Sequence, residues 1–561
     1  MGDAGAASDP RIDVAPPWWR RDRTRTAVGL LLVAGTLLIC VPGLMRYQGA
    51  PMEEGFMLAF PEQLLNGRLP HRDFLHLYGP GSLWVLAAVF KVFGATLEAE
   101  RTVGLLQHAG VAFGLFFLLK PFGRWIATSA AVTSILVLIG PGGLTAMAWN
   151  GGLALGIVAL AVGSAAVRRP DGTATRWMLA LSGVLGGAAL LYRPDLILAV
   201  ALGLGALMFA LPRSRRLPLV IGWAVTMALY VPHLLLSGVG DSFRGMFLEP
   251  VFELRPGRAL PVPPSWGEID GFLQRAGALR TEGWPFPMPA ISNQIFLWFF
   301  LVPLSIVVVV VAAWRLRRRE PGAPRAVAFW AGALFAAALA PQAMQRPDTT
   351  HLAWVTGITF PLLIPAVASL LEEVRPRWST PVRAGVGIGV LAVVFVAVIP
   401  FFPARTYVDL VGQTFGRDRF GAPITNGDRT FYFGSAEAAA SAQEVVDTLA
   451  RESRPGERLI VGPTDLSRTN YNDSFVYWLF PDLVPGTRYI EMDPGIANSA
   501  TSGLAEELRD TDWLVLSDSS AAWREPNTSE DAGDEEPNRI VRDEFCMVTD
   551  AGNFQLLRRC A

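Results

Sequence analysis

Long apolar stretches recur along the chain up to residue 402 and then stop. The first, Ala27–Met45, follows a polar segment ending in Arg20, Arg21, Arg23 and Arg25. A helix needs about 20 apolar residues to cross a hydrocarbon core roughly 30 Å thick, and this run has that length. It is too long for a cleavable signal and lacks an A-x-A site. Further runs lie near 81–94, 102–119, 125–140, 150–167, 177–192, 196–211, 217–237, 294–314, 327–342, 352–371 and 383–402. They predict a mainly α, polytopic membrane domain over 27–402 with about 11 to 13 spans, after a short tail over 1–26.

Residues 403–561 have a different texture. Arg458–Gly462 and Trp513–Leu516 are short apolar runs of buried-strand type, and Arg488–Met492 reads as a weaker third strand. Helices near 436–450 and 502–509 suggest βα units. Arg539–Thr549 and Phe554–Cys560 flank a turn and read as a terminal hairpin. The tail is therefore predicted to be a soluble α/β domain.

Charge gives this pattern an orientation. Arginines at 168–169, 213–216, 315–319 and 375–377 mark loops that face the cytoplasm, as does the cluster before the first span. The N-terminus then lies inside. The loops near 141–149, 193–195, 238–293 and 343–351 lie outside, together with the 403–561 domain. Lys120 and Arg124 conflict with this scheme unless 81–94 is re-entrant or interfacial, and at 14 residues that run spans only roughly 21 Å. The expectation is a multi-pass protein of the plasma (inner) membrane. An extracytoplasmic tail would permit a Cys546–Cys560 disulfide, although their register about the turn is not that of a direct cross-strand pair.

Composition narrows the function classes. The chain has 561 residues, 51% of them hydrophobic and only 17% charged, against about 25% in soluble proteins. Forty-eight basic and 49 acidic residues nearly cancel, so no basic excess exists to bind nucleic acid. No Walker A or complete G-x-G-x-x-G motif offers a nucleotide site. No HExxH or Cys/His ligand spacing occurs, so no such motif requires a divalent metal or other resident cofactor.

Candidate chemistry concentrates in the loop after the first span. Glu53 and Glu54 stand a few residues beyond its end, and His71, Arg72, Asp73, His76 and Tyr78 follow. Arg193 and Asp195 interrupt two apolar runs at an outer turn, and Arg346, Asp348 and His351 do the same at another. Charges so close to membrane segments are functional candidates. The proline-rich 238–293 loop, with Arg244, Glu249, Glu253, Arg255, Arg258, Trp266 and Trp284, suits a sugar-binding lid. The polar-aromatic segments Asp465–Asp473 and Trp523–Asn527 sit at expected strand ends, where open α/β sheets bind ligands.

The first loop resembles that of GT-C glycosyltransferases, a superfamily including protein mannosyltransferases, aminoarabinose transferases and arabinosyltransferases. The resemblance runs through Glu53-Glu54-Gly55, Leu64-Leu65-Asn66-Gly67, Pro70-His71-Arg72-Asp73-Phe74, Gly79-Pro80-Gly81 and Phe93-Gly94, with Arg101 where the family often has an arginine. The chain departs in having Glu53 for the usual Asp and His71 for the usual Tyr. The resemblance implies a lipid-linked sugar phosphate donor of the polyprenyl-phosphate type. It also implies inverting transfer to an extracytoplasmic glycan, lipid or protein acceptor, with Glu53 or Glu54 as the base. Asp73, His71, Arg72, His76, Tyr78, Arg193, Asp195, Arg346, Asp348 and His351 would contact substrate. The Arg-rich, Lys-poor composition suggests a cell-wall glycan as acceptor. A transporter or flippase of lipid-linked glycans is the alternative, and it predicts charges at mid-membrane and internal repeats.

Overall fold

A computed structural model describes residues 22–262, 291–398, 406–417, 421–521 and 525–560. Trp266, Trp284, Trp523, Arg20, Arg21 and the expected domain boundary near 402 lie outside these residues.

Among the described residues, each apolar run read from the sequence is mainly helical. Eight helices among the described residues are long and apolar enough to cross a membrane: those within Thr26–Leu44, Leu97–Phe122, Ala148–Val167, Thr173–Tyr192, Arg213–Ser237, Gln294–Arg319, Pro324–Gln345 and Thr349–Val374. Four shorter apolar helices accompany them, Gly81–Phe93, Arg124–Gly140, Pro194–Ala210 and Thr380–Phe395. Gly81–Phe93 is the run whose sidedness conflicted with its neighbours, and at 13 residues it is about 20 Å long. Burial separates central from peripheral helices. The apolar window of Thr349–Val374 is 83% buried, whereas that of Arg213–Ser237 is 22% buried and presents its side chains outward.

The tail folds as an α/β domain. Strands β1 (Ala422–Asn426) and β2 (Arg429–Phe433) form an antiparallel pair. The remaining strands are β3 (Arg458–Pro463), β4 (Val484–Pro485), β5 (Trp513–Ser517), β6 (Phe545–Ala551) and β7 (Phe554–Arg559). They form one sheet in the order β4-β3-β5-β7-β6. β3 pairs in parallel with β4 and β5, and the β6–β7 hairpin closes the far edge antiparallel. β5 is buried along its whole length and carries a continuous apolar run, as a central strand should.

Two expectations are corrected. Arg488–Met492 is not a strand but irregular chain beside β4. The first part of the expected hairpin, through Glu544, is the amphipathic helix Glu536–Glu544, and only Phe545 onward is extended.

Cys546 and Cys560 form a disulfide with Cα atoms 5.2 Å apart. Cys546 lies opposite Arg558, and the pairing carries an irregularity between Met547 and Thr549. The bridge closes a separation of 14 residues, and a loop of about 15 residues is worth about 3 kcal/mol in the chain-entropy account. Cys546→Ser is expected to speed limited proteolysis of the β6–β7 edge, and reductant should have the same effect on the native chain. Equal cleavage rates would show that the bridge carries no load.

Candidate active site

The two adjacent acids of the first loop open the helix Glu53–Leu65. Consecutive helical positions point about 100° apart, so the two side chains meet different surroundings. Glu54 is 1% exposed. Arg101 grips it through two bonds, Nε to Oε1 at 2.7 Å and Nη2 to Oε2 at 2.8 Å, and gives a third to the Leu44 carbonyl at 2.9 Å. Glu54 therefore ties the loop helix to the helix Leu97–Leu119.

Glu53 instead lines a cavity of about 510 Å³. The Tyr471 hydroxyl donates to Glu53 Oε2 at 3.2 Å while accepting from Met52 N at 3.0 Å. A residue of the C-terminal domain thus fixes the carboxylate and the start of its helix together. Burial raises the Glu53 carboxyl above its ordinary range, opposed by hydrogen bonds and by the charge of Arg258. The close approach of the tail depends on Gly55, where a Cβ would lie 2.3 Å from Phe475 N. This gives the glycine of the Glu-Glu-Gly motif a packing reason.

Cations ring the same cavity. Arg193 caps the helix Thr173–Tyr192, lies 4.3 Å from the Tyr78 ring and 4.9 Å from the Trp149 ring, and pairs with Asp195 at 2.7 Å. Gln342 donates to Asp195 Oδ2 at 2.6 Å. Arg346 pairs with Asp348 at 2.8 Å and with Glu525. Asp348 in turn accepts from His351 N and contacts His351 Nδ1, each at 2.9 Å. Arg258 pairs with Asp493. Arg255 also lines the cavity and is exposed, and no ion pair to it is present among the described residues. One flank of the cavity is apolar. Ile197, Leu198, Phe247 and Val251 line it and are each 42–58% exposed.

The first loop divides. Tyr78 faces the cavity, but His71, Arg72, Asp73 and His76 do not line it. His71 adopts a left-handed conformation, φ 72°, and its ring contacts His233 at 2.9 Å and the Tyr78 carbonyl at 3.0 Å. His76 is wholly buried against Phe60, Tyr78 and His71. Asp73 accepts from Leu69 N at 2.7 Å and pairs with exposed Arg72. His71 and His76 brace Tyr78, and Arg72 and Asp73 shape the loop. Asp348 likewise stands behind the cavity and orients Arg346 and His351, while Arg193, Asp195, Arg346 and His351 line it.

Two acidic residues of the cavity escaped the sequence reading. Glu491 and Asp493 come from the irregular segment beside β4. Their alternating acidic pattern, Glu-Met-Asp, was the available signal, straddling the end of an expected strand. Within the 238–293 loop, Arg255 and Arg258 reach the cavity, whereas Arg244 pairs with Glu249 and Glu253 away from it. Among the described residues no cluster of His, Cys, Asp and Glu is arranged to hold a metal ion.

No family model matches the chain, and no curated protein matches it in sequence. Comparison with solved structures gives matches that span most of the chain. ArnT from Cupriavidus metallidurans, bound to undecaprenyl phosphate, is 15% identical with a TM-score of 0.48; the match covers 96% of this chain and 98% of that one. The oligosaccharyltransferase of Archaeoglobus fulgidus in its apo form is 13% identical with a TM-score of 0.49, over 91% of this chain and 73% of that one. Archaeal AglB from the same organism, in complex with an inhibitory peptide and a dolichol-phosphate, is 11% identical with a TM-score of 0.44, over 96% and 74%.

Proposed function

We propose that this chain is a membrane glycosyltransferase that moves a sugar from a polyprenyl-phosphate donor to an extracytoplasmic acceptor. The observation that carries the reading is the make-up of one cavity, which joins a carboxylate, a set of arginines and an exposed apolar flank. An amphiphilic donor matches all three. Its prenyl chain suits Ile197, Leu198, Phe247 and Val251. Its phosphate suits Arg255, Arg258 and Arg346, since guanidinium groups match phosphate oxygens in geometry and charge. Its sugar is left beside Glu53.

In this reading Glu53 accepts the proton of the acceptor hydroxyl as that oxygen attacks the anomeric carbon. The bond from that carbon to the phosphate oxygen breaks with inversion, and the arginines stabilise the charge on the departing prenyl phosphate. Tyr78 and Arg193 form the wall beside the reacting groups. The disulfide of the C-terminal domain supports an oxidising, extracytoplasmic location for it and hence for the cavity. A multi-pass protein of the plasma membrane with a cytoplasmic N-terminus follows. No motif calls for a metal, and the acceptor is a glycan, lipid or protein. A transporter gains no support from the charges at the cavity, which stand at helix ends, Arg193 and Arg346 as C-caps and Glu53 in a first turn.

The direct test presents the purified chain with a panel of prenyl-phosphoryl pentoses and hexoses plus membrane extract, and measures release of prenyl phosphate and labelling of the extract. No release with any donor would refute the reading. Arg255 gives a separate check. Because it is exposed, Arg255→Ala should leave the fold intact and weaken binding of undecaprenyl phosphate about five- to tenfold, the scale of one solvated charge-assisted contact. Unchanged affinity would remove Arg255 from the phosphate site.

A further inference from the structure

Glycosyl transfer as described leaves one cavity carboxyl without a task. Glu491 lines the cavity and is 4% exposed. Its Oε2 meets no hydrogen-bond partner among the described residues. Buried polar groups are nearly always paired, so an exception calls for a reason.

The backbone around Glu491 is fixed from both sides. The Asn472 amide donates to the carbonyls of Val461 and Ile490 at 3.1 and 3.0 Å, and its oxygen accepts from Met492 N at 3.3 Å. Thr469 Oγ1 donates to the Asp493 carbonyl at 3.2 Å. The segment Thr469–Asn472 therefore holds the Glu491 main chain through Thr469 and Asn472, and Glu53 through Tyr471. A side chain aimed into a cavity from a clamped main chain, with no partner for its Oε2 among the described residues, has the form of a ligand contact.

The chemistry of that ligand follows from the neighbours. Asp493, Glu53 and Arg258 all act electrostatically on Glu491. Burial first, and then the charge of Asp493, push its carboxyl well above the usual range. This favours the protonated acid, which offers both a donor and an acceptor. Such a group can donate to one sugar hydroxyl and accept from another, a pairing that a phosphate, which offers only acceptors, cannot complete. It stands near both the proposed base and a proposed phosphate cation, where the sugar ring must lie for transfer to occur.

We propose that Glu491 of the C-terminal domain hydrogen-bonds hydroxyls of the sugar being transferred, which makes that domain a wall of the active site; this rests on the glycosyl-transfer reading. Asn472 is then a positioning residue for it.

The test compares two ligands on the full chain in lipid nanodiscs, bare undecaprenyl phosphate and the prenyl-phosphoryl sugar from the panel that the native chain binds best. Glu491→Ala should weaken the sugar-bearing lipid about tenfold or more and leave the bare lipid within about twofold. Glu491→Gln, which keeps the size and both hydrogen-bonding functions, should recover most of the loss. Equal weakening of both lipids, or weakening of neither, would overturn the sugar contact while leaving the phosphate site intact. A native chain that binds neither lipid would overturn the glycosyl-transfer reading and the proposal with it.

Discussion

Glu53→Gln is expected to lower the turnover of sugar transfer by about 10²–10⁴, the range for loss of a positioned general base, with little change in affinity for the donor lipid. The substitution keeps the shape of the side chain and an oxygen for the Tyr471 hydroxyl, now 3.2 Å from Glu53 Oε2. What it removes is the capacity to take a proton. The pH profile supplies a second signature. The base must be ionised, and burial holds its carboxyl above the ordinary range, so kcat/KM should fall as pH drops, with a midpoint above the ordinary glutamate value of about 4.3. The Tyr471 hydrogen bond favours the carboxylate. Tyr471→Phe should therefore move the midpoint further up, whereas a tyrosine that only packs would leave it in place. Native turnover in Glu53→Gln would sink the assignment.

The contrast with Glu54 shows where the sequence was legible and where it was not. Apolar runs of membrane length have one good solution, a helix, and that is what their described residues form. The outer-face assignment of 141–149, 193–195, 238–293, 343–351 and the tail grouped segments that do meet: Trp149, Arg193, Arg258, Arg346 and Glu491 share one cavity. Which of two adjacent acids faces that cavity depends on the rotation of a helix about its axis, and neither charge nor spacing records that. His71 and His76 stood in a polar loop and looked like ligands. His71 is folded under by a left-handed turn, and both pack against rings of the loop or of the neighbouring helix. Thr469–Asp473 had the composition of a loop at the end of a sheet. Its Tyr471 and Asn472 turn inward to hold Glu53 and the chain around Glu491, contacts made across 418 residues for Tyr471 and Glu53. Local patterns report local structure; pairings at that separation are set by the docking of the tail on the helices.

The Glu54–Arg101 pair carries the largest expected effect on stability. Its side chains are 1% and 3% exposed, and cutting one partner from a buried pair costs about 3–5 kcal/mol because a bare charge remains. Arg101→Met should approach the upper end. Glu100 is wholly buried next to Arg101 and accepts from Ala146 N at 2.5 Å, so two carboxyl groups would lose their shared cation. The loop helix would lose its anchor to Leu97–Leu119, and the Leu44 carbonyl would lose its donor. Removing both charges asks less of the fold. Glu54→Leu combined with Arg101→Met leaves one carboxyl group, Glu100, without the cation in place of two, and apolar replacement of buried pairs is often neutral or better. The double variant should thus be more stable than Arg101→Met alone, read as a higher midpoint of thermal unfolding in detergent at one fixed scan rate, with the two single variants closing the cycle. Additive losses would mean that the two residues do not act as a pair. Turnover per folded molecule separates this role from catalysis. It should remain substantial in the double variant, where Glu53 keeps Tyr471, and collapse in Glu53→Gln, which leaves the pair untouched.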